Sequence, residues 1–294
     1  MKITRGKVHT YLGMNLDYSQ DGKVVIDMRD YVKKDMLQEF PSNQLTKKAS
    51  SPANENLFKV NESSPKLNSA QKDKFHTMVA KGLFVGKRAR QEIQTAISFL
   101  CTRVQSPTQQ DWAKLRRMMR FLNATQEDVL TLECGDVPEA KWHVDAAFAV
   151  HHDFRSHTGA TMSLGKGSIM AFSTKQKLNT RSSTEAELVA VDDAISHIIW
   201  SQNFIQEQGA KELKTTVYQD NKSTMLLDEN GRQSVGKRSR HLNIRYFFMT
   251  DMIKQGLITI KYCPTEDMIA DFFTKPLQGS LFKKFNKIVH NQDN

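Results

Sequence analysis

A chain of 294 residues with 39% apolar side chains and a formal net charge of +10 can bury a large core, and its basic balance points to an anionic partner, most economically a nucleic acid. Cys101, Cys134 and Cys263 are scattered, with no Cys-x-x-Cys pair, which argues against a disulfide framework and a thiolate zinc site and fits an intracellular, reducing compartment. No signal-like apolar run follows Met1 and no stretch of eighteen apolar residues occurs, so membrane insertion is not expected.

Residues 7–18 and 23–28 alternate well enough to be strands around the turn signal Gln20-Asp21-Gly22, which predicts a β-hairpin. Residues 30–40 carry Tyr31, Val32, Met36 and Leu37 at helical spacing and are closed by Pro41. Residues 42–69 are rich in Ser, Asn, Lys and Pro, show little period, and are expected to form a mobile linker or loop. Three helical patterns follow over 70–86, 89–104 and 108–124, broken at Pro107, and predict a small helical bundle. Its cations Lys81, Lys87, Arg88, Arg90, Arg116, Arg117 and Arg120 suit either solvated helix faces or contact with nucleic acid. Gly135-Asp136-Val137-Pro138 is a connection, and the domain boundary is placed there.

Beyond it, 141–150, 159–164 and 168–173 read as three antiparallel strands, the last two joined through Gly165-Lys166-Gly167. In the first, Trp142, Val144 and Phe148 share one face, and His143, Asp145 and Ala147 the other. A helix over 183–208 carries Leu188, Val191, Ile195 and Ile198 as one apolar stripe, and Gly209 stops it. Its start offers two capping boxes, Ser182 with Glu185 and Thr184 with Glu187, so either Glu could simply tie off the helix. A strand over 213–219 runs into Asp220 and a short helix; a helix over 237–255, a strand over 257–262 and a helix over 266–274 complete the order βββαβαβα, an α/β layer with a mixed sheet. Taken singly, Asp145 is an exposed strand residue, Asp220 an N-cap and Asp271 a first-turn charge. Together with a Glu of the long helix they place four carboxylates on separate elements, the composition of a site for a hard cation.

Six motifs in order carry a family resemblance: Trp142-His-Val-Asp145, Arg155-Ser-His-Thr-Gly159, Ser182-Ser-Thr-Glu-Ala-Glu187, Gln219-Asp220-Asn221, Arg240-His241-Leu-Asn-Ile-Arg245-Tyr246 and Ala270-Asp271-Phe-Phe-Thr-Lys275-Pro276-Leu277. They resemble the ribonuclease H domain of copia-type retrotransposon polyproteins. Upstream, Tyr11-Leu12-Gly13-Met14 and the run from Trp112 through Arg116 to Phe121-Leu122 resemble the end of the palm and the thumb-and-connection region of the same reverse transcriptases. The resemblance implies an α/β fold with a ribonuclease H-like mixed five-stranded sheet flanked by helices, preceded by a β-hairpin and a small helical bundle. The corresponding division is 1–40 palm remnant, 41–69 linker, 70–135 thumb and connection, and 136–294 ribonuclease H-like domain. The Tyr-x-Asp-Asp loop of the polymerase would lie before Met1, and Asp192-Asp193, mid-helix, does not replace it, so polymerase activity is not expected from this chain alone.

The implied activity is metal-dependent hydrolysis of the RNA strand of RNA/DNA hybrids with two Mg²⁺ ions, Mn²⁺ being the alternative. By resemblance Asp145 and Asp220 bridge both ions, Glu187 holds the one on the leaving-group side and Asp271 the one beside the nucleophile; Glu187 matches the catalytic position because it directly precedes Leu-x-Ala, which leaves Glu185 for capping. Nucleic-acid contacts are expected from Lys175, Arg181 and Ser183, and from Lys237, Arg238, Arg240, His241 and Arg245, which lie between Arg232 and Thr250 without one acidic residue. The polymerase part of the polyprotein is a further implied partner, with no small-molecule substrate, and the implied location is a cytoplasmic particle or the nucleus. The alternatives are a nonenzymatic nucleic-acid-binding remnant and a fragment active only with the polymerase part. The chain departs from the family in Ala147-Phe148 for a more usual Asp and Trp, in His241-Leu-Asn243 for His-Ile-Asp, and in Pro264-Thr265-Glu266-Asp267, which lacks the His often found after the fifth strand in cellular ribonucleases H.

Overall fold

The computed structural model describes residues 5–135, 139–210, 213–225 and 243–292, the side chains of 243–248 lying outside that description. Two compact units result: Met1–Cys134 with Lys166–Ser168 and Lys275–Asn294, and Gly135–Gly165 with Ile169–Thr274.

In the first unit the chain over 7–18 is two strands rather than one. β1 (Val8–Tyr11) and β2 (Met14–Asp17) pair antiparallel with Tyr11 opposite Met14, leaving Leu12 and Gly13, both at positive φ, as a two-residue turn. β3 (Lys23–Asp27) follows, and it pairs with β4 (Leu130–Cys134), an element absent from the sequence reading. Residues 31–37 form a π-helical segment. The three expected helices are α1 (Ser69–Gly86), α2 (Gln94–Cys101) and α3 (Gln109–Ala124), the last opened by a Thr108–Asp111 capping box.

The expected mobile linker is packed. Ala53, Leu57 and Phe58 are buried, Phe58 sits edge-on to Phe99, and the Leu67 and Gln109 amides donate to Pro107 O and Pro65 O. Anchors this sparse make no period, so composition misled. Several helix cations are committed to groups within this unit: Arg120 donates to Gln44 O, Arg117 to Ser51 Oγ, Lys81 to Asp35 O and Lys114 to Lys59 O. A last helix, α8 (Gly279–His290), buries Phe282, Phe285 and Val289 in this unit; Phe282 meets Phe121 edge to face, and His290 Nε2 lies 2.8 Å from Glu92, which also pairs with buried Arg90 at 2.6 Å.

The second unit holds a five-stranded sheet in the order β10-β9-β5-β6-β8. β5 (Glu139–Ala147), β6 (His157–Ser163) and β8 (Met170–Lys175) are antiparallel neighbours, the two-residue β7 (Gly165–Lys166) lying in the β6–β8 turn; β9 (Lys214–Gln219) and β10 (Thr259–Tyr262) run parallel to β5. α4 (Ser183–Glu207) crosses one face between β8 and β9, burying the predicted stripe Leu188, Val191, Ile195 and Ile198. Trp142 and Val144 join Ala160, Phe172 and Val191, Ile195 and Ile198 of α4 in the core, but Phe148, expected beside them, is 41% exposed because β5 ends at Ala147. α5 is helical over 222–225, α6 (Asn243–Lys254) is the crossover to β10, and α7 (Asp271–Thr274) is a single turn where a longer helix was predicted, residues 265–267 forming a separate 3₁₀ turn. Within this unit the main elements follow the expected order, and the mixed five-stranded sheet is the fold class read from the sequence.

Candidate active site

β5 and β9 are parallel neighbours with His143 opposite Tyr218, and the two rings stack at 4.7 Å. Two residues further along each strand, on the same face by the period of two, come Asp145 and Asp220. Asp145 is only 1% exposed, and Asp220 is half-buried where β9 ends. α4 supplies the third carboxylate. Its start is held by Ser182 Oγ, which accepts from the Glu185 amide, while Glu185 reaches back to accept from the Arg181 amide at 2.7 Å. Glu185 is therefore the capping residue, and Glu187, one half-turn on, points inward and is 5% exposed. The helix start is fastened to the sheet as well: Gln176 Nε2 donates to Ala186 O, and Thr158 Oγ1 donates to Asp193.

Asp145, Glu187 and Asp220 each bring one carboxylate oxygen within 4.8 Å of the others. Burial, and then repulsion from Asp145 and Asp220, hold the Glu187 carboxyl well above the usual carboxylate range, against the lowering effect of the Ala146 amide and the Gln219 side chain. The nearby imidazole of His143 is pushed down to about 4 by burial, with Lys141 adding to the effect, so it brings no positive charge at neutral pH. A divalent cation relieves such a cluster, and three convergent carboxylates are the hard oxygen donors that Mg²⁺ or Mn²⁺ prefers. The donor set fits a metal.

Three partners of these carboxylates escaped the sequence reading. Gln219 bridges the site: its amide nitrogen donates to Glu187 at 3.3 Å while its oxygen accepts from the backbone amides of Asp220 and Asn221. Thr265, in the loop where no His was found, donates to Asp220 at 3.3 Å. Thr274 donates its hydroxyl to Asp145 Oδ2. The only advance signal was that Gln219 and Thr274 stand inside the quoted motifs. The N-cap alternative for Asp220 is answered by Asn221, whose side chain accepts from the Thr224 amide.

Asp271 opens α7 and is 4% exposed, but it is not among the three clustered carboxylates. Burial first, then the charges of Asp267, Asp220, Asp271 and Glu266, push the Cys263 thiol up to about 11, so Asp220 and Asp271 act on one neighbourhood. α7 lies against β5 and β6. Gly159, opposite Asp145, makes this possible: a Cβ there would stand 2.6 Å from Thr274 Cγ2 and 2.8 Å from the Phe273 backbone.

Of the expected nucleic-acid contacts, Lys175 is half-buried and pairs with Asp153 at 2.6 Å, while Arg181 and Ser183 are exposed, Ser183 one helical turn before Glu187. Lys237, Arg238, Arg240 and His241 lie outside the described residues, as does the side chain of Arg245 on α6. No helix of the described residues is long and apolar enough to cross a membrane.

No protein-family model matches the chain. It is 28% identical over 206 residues, 70% of its length, to the retrovirus-related Pol polyprotein from transposon TNT 1-94 of Nicotiana tabacum. It is 30% identical over 67% of its length to that from transposon RE1 of Arabidopsis thaliana, and 23% identical over 95% to the Ty1-LR3 Gag-Pol polyprotein of Saccharomyces cerevisiae. The chain spans 13–16% of the length of these relatives. Among solved structures, a foamy viral protease-reverse transcriptase in complex with RNA/DNA hybrid aligns with 93% of this chain and 31% of its own at TM-score 0.49 and 14% identity. An LC11-RNase H1 in complex with RNA/DNA hybrid aligns with 46% and 92% at TM-score 0.32 and 13% identity.

Proposed function

We propose, from the premise that this chain is homologous to part of the Pol polyproteins of copia-type retrotransposons, that it is their ribonuclease H part and hydrolyses the RNA strand of RNA/DNA hybrids. The observation that carries the reading is the convergence of Asp145, Glu187 and Asp220 from a strand, a helix and a second strand into one buried cluster. These three, with Asp271 as the fourth ligand, would hold two Mg²⁺ ions. When bound, such ions supply an activated water and stabilisation of the departing sugar oxygen.

The chain's own residues do the rest. Gln219 and the Ala146 amide orient Glu187, Thr274 orients Asp145 and Thr265 orients Asp220. Each removes one rotational freedom from a ligand before metal or substrate arrives. Arg181, Lys175 and the region of Lys237, Arg238, Arg240, His241 and Arg245 bind phosphates. Ser183, exposed at the start of α4, contacts the 2′-hydroxyls that distinguish the RNA strand.

The test is cleavage of an end-labelled RNA strand within a hybrid duplex in Mg²⁺, comparing the native chain with Asp145→Asn and Asp220→Asn. Cleavage that both substitutions reduce by well over roughly a hundredfold, beyond what loss of an orienting contact causes, supports the reading. Hybrid binding without cleavage favours a nonenzymatic remnant, and cleavage that emerges only on adding the polymerase part favours a dependent fragment.

A further inference from the structure

The hairpin loop joining β5 to β6 leaves the sheet just beyond the Asp145–Gly159 pair, the last pairing being Ala147 with His157, so it stands at the same end of the sheet as the carboxylates. The loop is held firmly. The His151 amide donates to Arg155 O at 3.1 Å, the Phe154 amide to His151 O at 2.8 Å and the Ala149 amide to Ser156 Oγ at 3.0 Å. Below it, buried His151 and His157 are joined at 2.9 Å, and His157 continues to Ser173 at 2.7 Å.

Into this rigid frame the chain places Phe154, 73% exposed and at φ +59°, with no aromatic or cationic ring partner among the described residues. Both features cost free energy: a bulky L-residue in the left-handed region is strained, and an aromatic ring in water forgoes burial. Gly or Asn would relieve both. Strain maintained at a protruding aromatic beside a candidate site points to a ligand for the ring. The charge around it defines that ligand. Lys175 and Arg155 both approach the Asp153 carboxylate, at 2.6 and 3.5 Å, leaving one positive charge in excess, and from Phe154 to Thr184 there is no acidic residue, with exposed Lys177 and Arg181 following. An exposed aromatic ring on a stretch of chain with a cationic excess is the complement of a nucleotide, whose sugar and base edge lie beside phosphates.

We infer that Phe154 is a substrate-binding residue whose ring packs against a nucleotide of the hybrid held at the carboxylate cluster. The inference rests on the nuclease reading. Its test measures hybrid affinity by fluorescence anisotropy in the Asp145→Asn background, which keeps the duplex intact, for Phe154, Phe154→Gly and Phe154→Trp, alongside each variant's melting temperature. Phe154→Gly is expected to raise Kd about 5- to 30-fold, the range of one lost aromatic contact at an interface, with a melting temperature no lower than that of its parent, while Phe154→Trp stays near the parent in affinity. Unchanged affinity in Phe154→Gly overturns the inference and leaves the nuclease reading intact if the native chain still cleaves. Loss of affinity together with loss of melting temperature also overturns it, in favour of a structural role. A native chain that neither binds nor cleaves hybrid overturns both.

Discussion

At Glu187 local electrostatics and local stability oppose each other. A buried carboxyl beside Asp145 and Asp220 is held above its ordinary range by burial and repulsion, so in metal-free buffer it weakens the fold. Glu187→Gln keeps the shape, retains a partner for Gln219 and removes the repulsion. It is expected to raise the metal-free melting temperature by a few degrees, equivalent to about 1–2 kcal/mol, while abolishing cleavage. A variant that melts below the native chain without metal would contradict the account of this cluster. Thr274 gives a complementary case, touching Asp145 without being a carboxylate. Thr274→Val should lower cleavage about 10- to 100-fold at limiting metal, with partial recovery at high metal, and shift stability by no more than about 1.5 kcal/mol. Isothermal titration with Mg²⁺ or Mn²⁺ separates weaker metal binding from a general loss of fold. At this scale the sequence went part of the way. Two capping boxes at one helix start left Glu185 and Glu187 open on local grounds, and the family motif chose Glu187; in the structure Glu185 turns back to the Arg181 amide while Glu187 joins Asp145 and Asp220.

Elements show how short segments position distant groups. Four-residue α7 has no stability of its own, and it is placed by packing over Gly159. Gly159→Ala should therefore displace α7, destabilising by roughly 1–3 kcal/mol and suppressing cleavage by moving Thr274 off Asp145. Native-like melting and cleavage in that variant would show that the close approach is dispensable. α8 is tied down differently, by His290 and Arg90 on the two oxygens of buried Glu92. Burial pushes the Glu92 carboxyl up, but Arg90 and His290 outweigh it and bring it down to about 2 from an ordinary 4.5. Because the folded value lies below the unfolded one, the stability it contributes is fully present above about pH 4.5 and is lost as pH falls toward 2. Glu92→Gln should melt lower than the native chain at pH 7, by about 3–5 kcal/mol as expected for breaking a buried pair, and the gap should close across that acid window. A gap independent of pH would mean that Glu92 acts by packing alone.

Across the whole molecule the net charge of +10 overstates what is available to a nucleic acid. Arg117, Arg120 and Lys114 hold backbone carbonyls or a serine hydroxyl, and Arg90 is buried. The slope of log affinity against log salt for hybrid binding should accordingly be smaller in magnitude than about 9, the value for ten neutralised phosphates, and exposed Arg181 mutated to Ala should reduce it by about 1. The sequence by itself determined the kinds of element and their order from residue 139 to residue 274, and placed the carboxylates on them, because alternation, helical stripes, caps and ordered motifs are written in neighbouring residues. It missed β4 and α8 and read residues 42–69 as mobile, since an isolated strand, a terminal stripe and sparse apolar anchors carry weak local signals. Only the tertiary structure decided which carboxylates meet, that Thr274 bonds an aspartate 129 residues earlier, and that residues 275–294 belong with the first unit. Those outcomes depend on strand register, on the missing Cβ of Gly159 and on buried charge pairs, all set by contacts between residues far apart in the chain.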